Sequence, residues 1–130
     1  MQIEVNITPE PIQPDGTLPA DLTGKAGAIV EFLGVVRAEE NNQPIAALEY
    51  EAYVPMAEKV IRQIIKQLAE AYSCLYVGVS HRIGIVPKGD AAIRVVVASI
   101  HRAEAFALAT ALVEKLKQDA PIWKKPLRAI

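Results

Sequence analysis

The chain has 130 residues, of which 14 are basic and 15 acidic, giving a formal net charge of −1, with 52% apolar and 22% charged residues. This length suits a single domain, residues 1–130, with a genuine core, and the near-neutral balance argues against bulk binding to nucleic acid or to a membrane surface. No apolar run reaches the length of a membrane span, the first residues lack a signal peptide's pattern, and the lone Cys74 cannot form an internal disulfide, so a soluble cytoplasmic protein is expected.

In chain order, residues 2–7 alternate as a strand. Pro9, Pro11, Pro14, Gly16 and Pro19 then break regular structure, which predicts a loop over residues 8–18 and a short helix near Pro19–Leu22. Gly27 to Arg37 is mostly apolar and β-branched and reads as a strand. Glu39–Pro44 reads as a turn, and Ile45–Tyr53 as a second strand in which Leu48, Tyr50 and Ala52 oppose Glu49, Glu51 and Tyr53. Pro55–Tyr72 carries the clearest helical period, with Ala57, Val60, Ile61, Ile64, Ile65, Leu68 and Tyr72 on one stripe. Cys74–Ile85 and Ala91–Ile100, on either side of Pro87-Lys88-Gly89-Asp90, read as a β-hairpin. A second helix is expected over Arg102–Gln118, with Ala105, Phe106, Ala109, Leu112, Val113 and Leu116 inward and Pro121 ending it. Hairpins in place of βαβ crossovers favour an α+β fold, mainly antiparallel, with two main helices.

Positive charge is concentrated late in the chain. Lys115, Lys117, Lys124, Lys125 and Arg128 stand against the single acid Asp119 between residues 115 and 128. Fixed cations beside Trp123 suit a compact anion such as a phosphate or carboxylate. Equally, lysines at a helix C-terminus favour the helix dipole by about 0.3–1 kcal/mol each. Lys117 lies about 20° around the helix from Phe106, at the edge of the apolar stripe. A partly desolvated ammonium there would serve as acid, base or nucleophile, although snorkelling into water is the commoner outcome. Trp123 is expected to pack into the core more readily than into a pocket wall.

His101 and Arg102 stand where a strand gives way to a helix, and free N–H groups at a helix start favour anions. Arg37 ends an apolar strand, whose Gly34 permits either close approach or a bulge. His81-Arg82 reads as structural, and Glu49, Glu51 and Tyr53 lack an acidic partner for paired-carboxylate chemistry. No phosphate-binding glycine loop, nucleophile elbow or metal motif occurs, and neither a metal nor a cofactor is expected. Arg102 and Lys117 are fifteen positions apart, about 22 Å along one helix. If both serve one small ligand, one of them must come from a second copy, which predicts a composite site at a two-fold interface and two sites per homodimer.

Several short patterns occur in a specific order: Gly27-Ala28…Phe32-x-Gly34-x-Val36-Arg37, Leu48-x-Tyr50-Glu51-x-Tyr53-x-x-Met56-Ala57, His81-Arg82-x-Gly84, Gly89-Asp90, His101-Arg102-x-Glu104-Ala105-Phe106, Leu116-Lys117 and Pro121-Ile122-Trp123-Lys124-Lys125. Over about residues 27–125 the sequence resembles the large, catalytic subunit of molybdopterin synthase. The resemblance implies an α/β-hammerhead-type fold and a homodimer. It also implies a small ubiquitin-like sulfur-carrier subunit at each end, so that the assembly is a heterotetramer. The carrier's C-terminal Gly-Gly, as a thiocarboxylate, would supply sulfur to cyclic pyranopterin monophosphate in two transfers, making molybdopterin for molybdenum cofactor biosynthesis. By the same resemblance Lys117 and Lys124 are the catalytic pair. The resemblance further implies that Arg37, His101 and Arg102 bind the substrate's phosphate and pterin, with the Val35-Val36 backbone lining the site and Lys125 beside it. The chain departs from the family at Pro126, where an acidic residue is usual, and it stops at Ile130 without the family's further segment. Pocket closure and the grip on the carrier's tail are therefore expected to differ. Two other readings fit the patch: a non-catalytic dimeric relative that binds a phosphorylated metabolite or a partner's C-terminal tail, and an unrelated α+β ligand-binding regulator.

Overall fold

A computed structural model describes residues 1–13 and 18–129. The expected loop over residues 8–18 therefore lies partly outside the described residues. The elements run β1 (Gln2–Thr8), a 3₁₀ turn (Ala20–Leu22), β2 (Ala28–Val35), β3 (Glu39–Glu40), β4 (Gln43–Ala52), α1 (Val54–Ala71), β5 (Tyr76–Arg82), β6 (Gly84–Pro87), β7 (Ala91–Ser99), α2 (Arg102–Asp119) and β8 (Ile122–Arg128). The α+β class, the two helices and the mainly antiparallel pairing are as expected.

One four-stranded sheet has the order β1-β5-β7-β2. Its β1–β5 pair is parallel, and its other pairs are antiparallel. Alternation along β5 and β7 points Val77, Val79, Val95 and Val97 at the helices. There they meet Ile61, Ile64 and Ile65 of α1 and Ala105, Leu108, Leu112 and Leu116 of α2. Leu22, with Leu18 and Ala26, covers Tyr76, Val96 and Ala98 on the other face. A smaller sheet is built around β4, which pairs with β3, β6 and β8. It has its own core of Val36, Ile45, Leu48, Val86 and Ala92.

The structure corrects four details. The strand expected over Cys74–Ile85 is two strands: β5 stays in the first sheet as half of the expected hairpin, and β6 leaves to pair with β4. The break falls at Ile83, just before Gly84, whose φ of +83° is costly for a residue with a side chain. Phe106 is 59% exposed instead of inward, because the buried stripe of α2 runs through Ala105, Leu108, Ala109, Leu112 and Leu116. Trp123 is also 59% exposed, because it lies in a strand after α2 that the sequence reading did not assign. The turn at 39–44 is a tight hairpin in which Asn41 and Asn42 both take positive φ, the geometry of a two-residue β-turn.

His81 stands at the seam between the sheets. Its ring lies edge-on to Tyr50 with centroids 4.9 Å apart, and its Nδ1–H donates to the Arg82 carbonyl at 2.8 Å.

A methyl group added at Gly27 would fall on the Ile100 carbonyl oxygen. Gly27→Ala should therefore cost about 1–3 kcal/mol, read as a lower urea midpoint with an unchanged slope; an unchanged midpoint would show that the strand ends move apart freely. Burial pushes the His81 imidazole below its ordinary range. An unfolded chain takes up that proton first, near pH 6.5. The stability contributed by neutral His81 is thus complete above that pH and lost as pH falls towards the folded value. Between pH 7 and 5 the urea midpoint of His81→Gln should fall less than that of wild type, and equal slopes would remove His81 from the account.

Candidate active site

A cavity of about 550 Å³ opens at the seam, between β2, β4, the C-terminal half of α2 and β8. Its floor is apolar and aromatic, with Phe32, Leu48, Tyr50, Ile93 and Val113, and His81 beside Tyr50. Arg37, Lys117 and Lys124 bring positive charge to it, and Glu40 is the one acid that lines it among the described residues.

Local rules place each of these groups. Val36 donates its N–H to the Asp90 carbonyl at 2.9 Å and accepts from the Gly89 N–H at 2.8 Å. The Pro87–Asp90 turn, with Gly89 at φ +90°, thus clamps the chain just before Arg37. A bulge between Gly34 and Val35 turns the end of β2. An added methyl group at Gly34 would come within 2.5 Å of Ile93 Cγ2, so close approach and bulge occur together. Lys117 lies in the last turn of α2, where a cation favours the helix dipole. In β8, opposite Tyr50 of β4, stands Lys124. Alternate residues of a strand face opposite ways. Lys124 therefore lines the cavity, while Lys125, in register with Glu49, does not.

Lys124 Nζ lies 2.9 Å from Glu40 Oε1, and the Arg37 guanidinium approaches the other oxygen at 3.9 Å. The hydrogen bond from Lys124 holds the Glu40 carboxyl below the usual carboxylate range, so it is ionised at neutral pH. Burial raises the Tyr50 phenol, with the Glu40 charge acting in the same direction, so it keeps its proton.

Of the residues singled out from the sequence, Val35, Val36, Arg37, Lys117 and Lys124 come together here, and His101, Arg102 and Lys125 do not. His101 and Arg102 are exposed at the opposite end of α2 from Lys117. The Val36 N–H is already bonded within the chain and is not free to hold a ligand. Sequence reasoning did not single out Glu40 or Tyr50 for this site, and it read His81 as structural; all three line the cavity. The adjacent asparagines Asn41-Asn42 were the signal that could have fixed Glu40 in a hairpin. Among the described residues no group of three or more His, Cys, Asp or Glu side chains could hold a metal ion, and no helix is long and apolar enough to cross a membrane.

The family model described as MoaE protein matches residues 7–119. The molybdopterin synthase catalytic subunit of Bacillus subtilis (strain 168) is 37% identical over 121 residues, which cover 93% of this chain and 77% of that protein. The Homo sapiens molybdopterin synthase catalytic subunit is 34% identical over 123 residues, covering 95% of this chain but only 65% of the human protein. Among solved structures, molybdopterin synthase from Staphylococcus aureus superimposes with a TM-score of 0.82 at 35% identity, covering 99% of this chain and 93% of that one. A complex of subunits 1 and 2 of molybdopterin-converting factor from Helicobacter pylori 26695 shares the fold, with a TM-score of 0.75 at 23% identity, covering 98% of this chain and 89% of that one. The extent of these matches, and their agreement with the fold, lead to one assignment: the chain belongs to the MoaE family of molybdopterin synthase catalytic subunits.

Proposed function

We propose that this chain is a cytoplasmic sulfurtransferase that converts cyclic pyranopterin monophosphate to molybdopterin. The sulfur comes from the C-terminal thiocarboxylate of a small ubiquitin-like carrier subunit. One observation carries the reading: Arg37 from the link after β2, Lys117 from α2 and Lys124 from β8 line one cavity with an apolar floor. A site that joins an anionic tail to a phosphorylated heterocycle needs cations for both partners and an apolar surface for the ring.

In this reading one of Lys117 and Lys124 holds the thiocarboxylate or moves a proton, and the other stabilises oxyanion charge as the carrier's carbonyl is attacked. Arg37 takes the substrate phosphate with its planar fork, and the end of β2 at Val35 and Val36 forms the wall. His101 and Arg102 lie about 22 Å from Lys117 along α2. They serve the cavity of a second copy, in a homodimer with a carrier at each end, while Lys125 faces away from the cavity that Lys124 lines. The whole of residues 1–130 acts as one unit in this assembly.

Two measurements test the proposal. Lys117→Ala, assayed with thiocarboxylated carrier and the pterin precursor, should lose at least about 10²-fold in turnover with an unchanged melting temperature; normal dithiolene formation would reject the catalytic assignment. Lys117→Ala and Arg102→Ala chains, each inactive alone, should regain activity when unfolded together and refolded, because each mixed dimer holds one intact composite site. No recovery would place Arg102 outside the partner's site.

A further inference from the structure

The strand that carries Lys124 reads Ile-Trp-Lys-Lys-Pro-Leu-Arg and contains no acid. A counter-charge for Lys124 must therefore come from elsewhere in the fold. The Asn41-Asn42 turn supplies it by folding Glu40 back against Gln43, so that the carboxylate meets the Lys124 ammonium at 2.9 Å and the Arg37 guanidinium at 3.9 Å. Exposure shows which partner is fixed. The Glu40 side chain is 15% exposed, whereas Lys124 is 51% and Arg37 80% exposed. The acid is the anchored member, and the two cations are the long, solvent-reaching ones.

An exposed ion pair adds little to stability. Its value here is orientation: a lysine on a flexible four-carbon stem samples many positions unless one bond fixes it. The geometry points to Glu40 as a positioning residue that holds the Lys124 ammonium over the cavity for sulfur transfer and ties it to Arg37. This rests on the reading of the cavity as the sulfur-transfer site. Glu40 touches neither the sulfur nor the pterin in this scheme and acts through Lys124. Misplacing a catalytic group by about 1 Å can cost on the order of 10²-fold in rate. A purely neutralising acid would behave in the opposite way, since its removal would tighten anion binding and leave turnover intact.

Glu40→Gln keeps the size and removes the charge. With the full chain, thiocarboxylated carrier and cyclic pyranopterin monophosphate, kcat should fall by about 10- to 100-fold, while KM for the pterin stays the same or falls. An unchanged kcat overturns the proposal. A second readout is independent of turnover. Acetic anhydride labelling, mapped by peptide mass, should modify Lys124 several-fold faster in Glu40→Gln than in wild type, with Lys125 unchanged as the internal control. Equal labelling of Lys124 in the two proteins overturns the proposal. Faster labelling of Lys124 in the variant upholds the Glu40–Lys124 tie even where the wild-type protein forms no dithiolene, and that result would reject only the sulfur-transfer reading.

Discussion

The chain passes directly between its two sheets at Val36–Ala38, at Ile83 and at Lys88–Asp90, and the cavity lies along the seam between them. Backbone bonds fix the segments that border the seam: Val36 to Gly89 and Asp90, Ile45 to Ala38, Lys88 to Ala46 and Ile83 to Thr8. The helix-backed sheet supplies Phe32 and Ile93 to the floor and holds them stiffly, because its inward strand faces are buried against both helices. The smaller sheet supplies Glu40, Tyr50 and Lys124 through β3, β4 and β8, and α2 supplies Lys117. Neither sheet alone would bring Lys117 and Lys124 to one place.

Much of this was legible in the sequence, for identifiable reasons. The stripe of α1 declares itself because the isoleucines Ile61, Ile64 and Ile65 repeat at helical spacing over polar neighbours, and with Ala57 they are the buried residues of that helix. α2 was harder to orient. It is rich in alanine, so Phe106 looks like part of a core stripe although the helix turns it outward. β8 escaped detection because Pro126 argues against a strand. As an edge strand paired only with β4 in the described residues, it tolerates a residue without an N–H. Hence Trp123 seemed destined for the core, when the alternation of β8 points it away from Lys124. β3 is only two residues long and leaves almost no periodic trace.

The cations divided according to the same geometry. Lys117 and Lys124 are seven positions apart, and a helix end followed by a tight return brings both to one cavity. Lys124 and Lys125 are adjacent, and a strand separates them to opposite faces. Closeness in sequence therefore misleads at Lys124–Lys125 and understates the link between Arg37 and Lys124. In all of these cases strand pairing decides which residues meet, and pairing is the property that local sequence specifies least.

The parallel ladder between β1 and β5 has an effect on how the molecule is assembled. Residues 2–8 bond to residues 76–82, so the first strand to emerge waits for more than half of the chain before its partner exists. Contacts between such distant segments form slowly, because a long loop must close first. Until then Ile3, Val5 and Ile7 have nothing of their own sheet to lie against, and the nascent chain presents an unpaired apolar edge of the sort that invites aggregation.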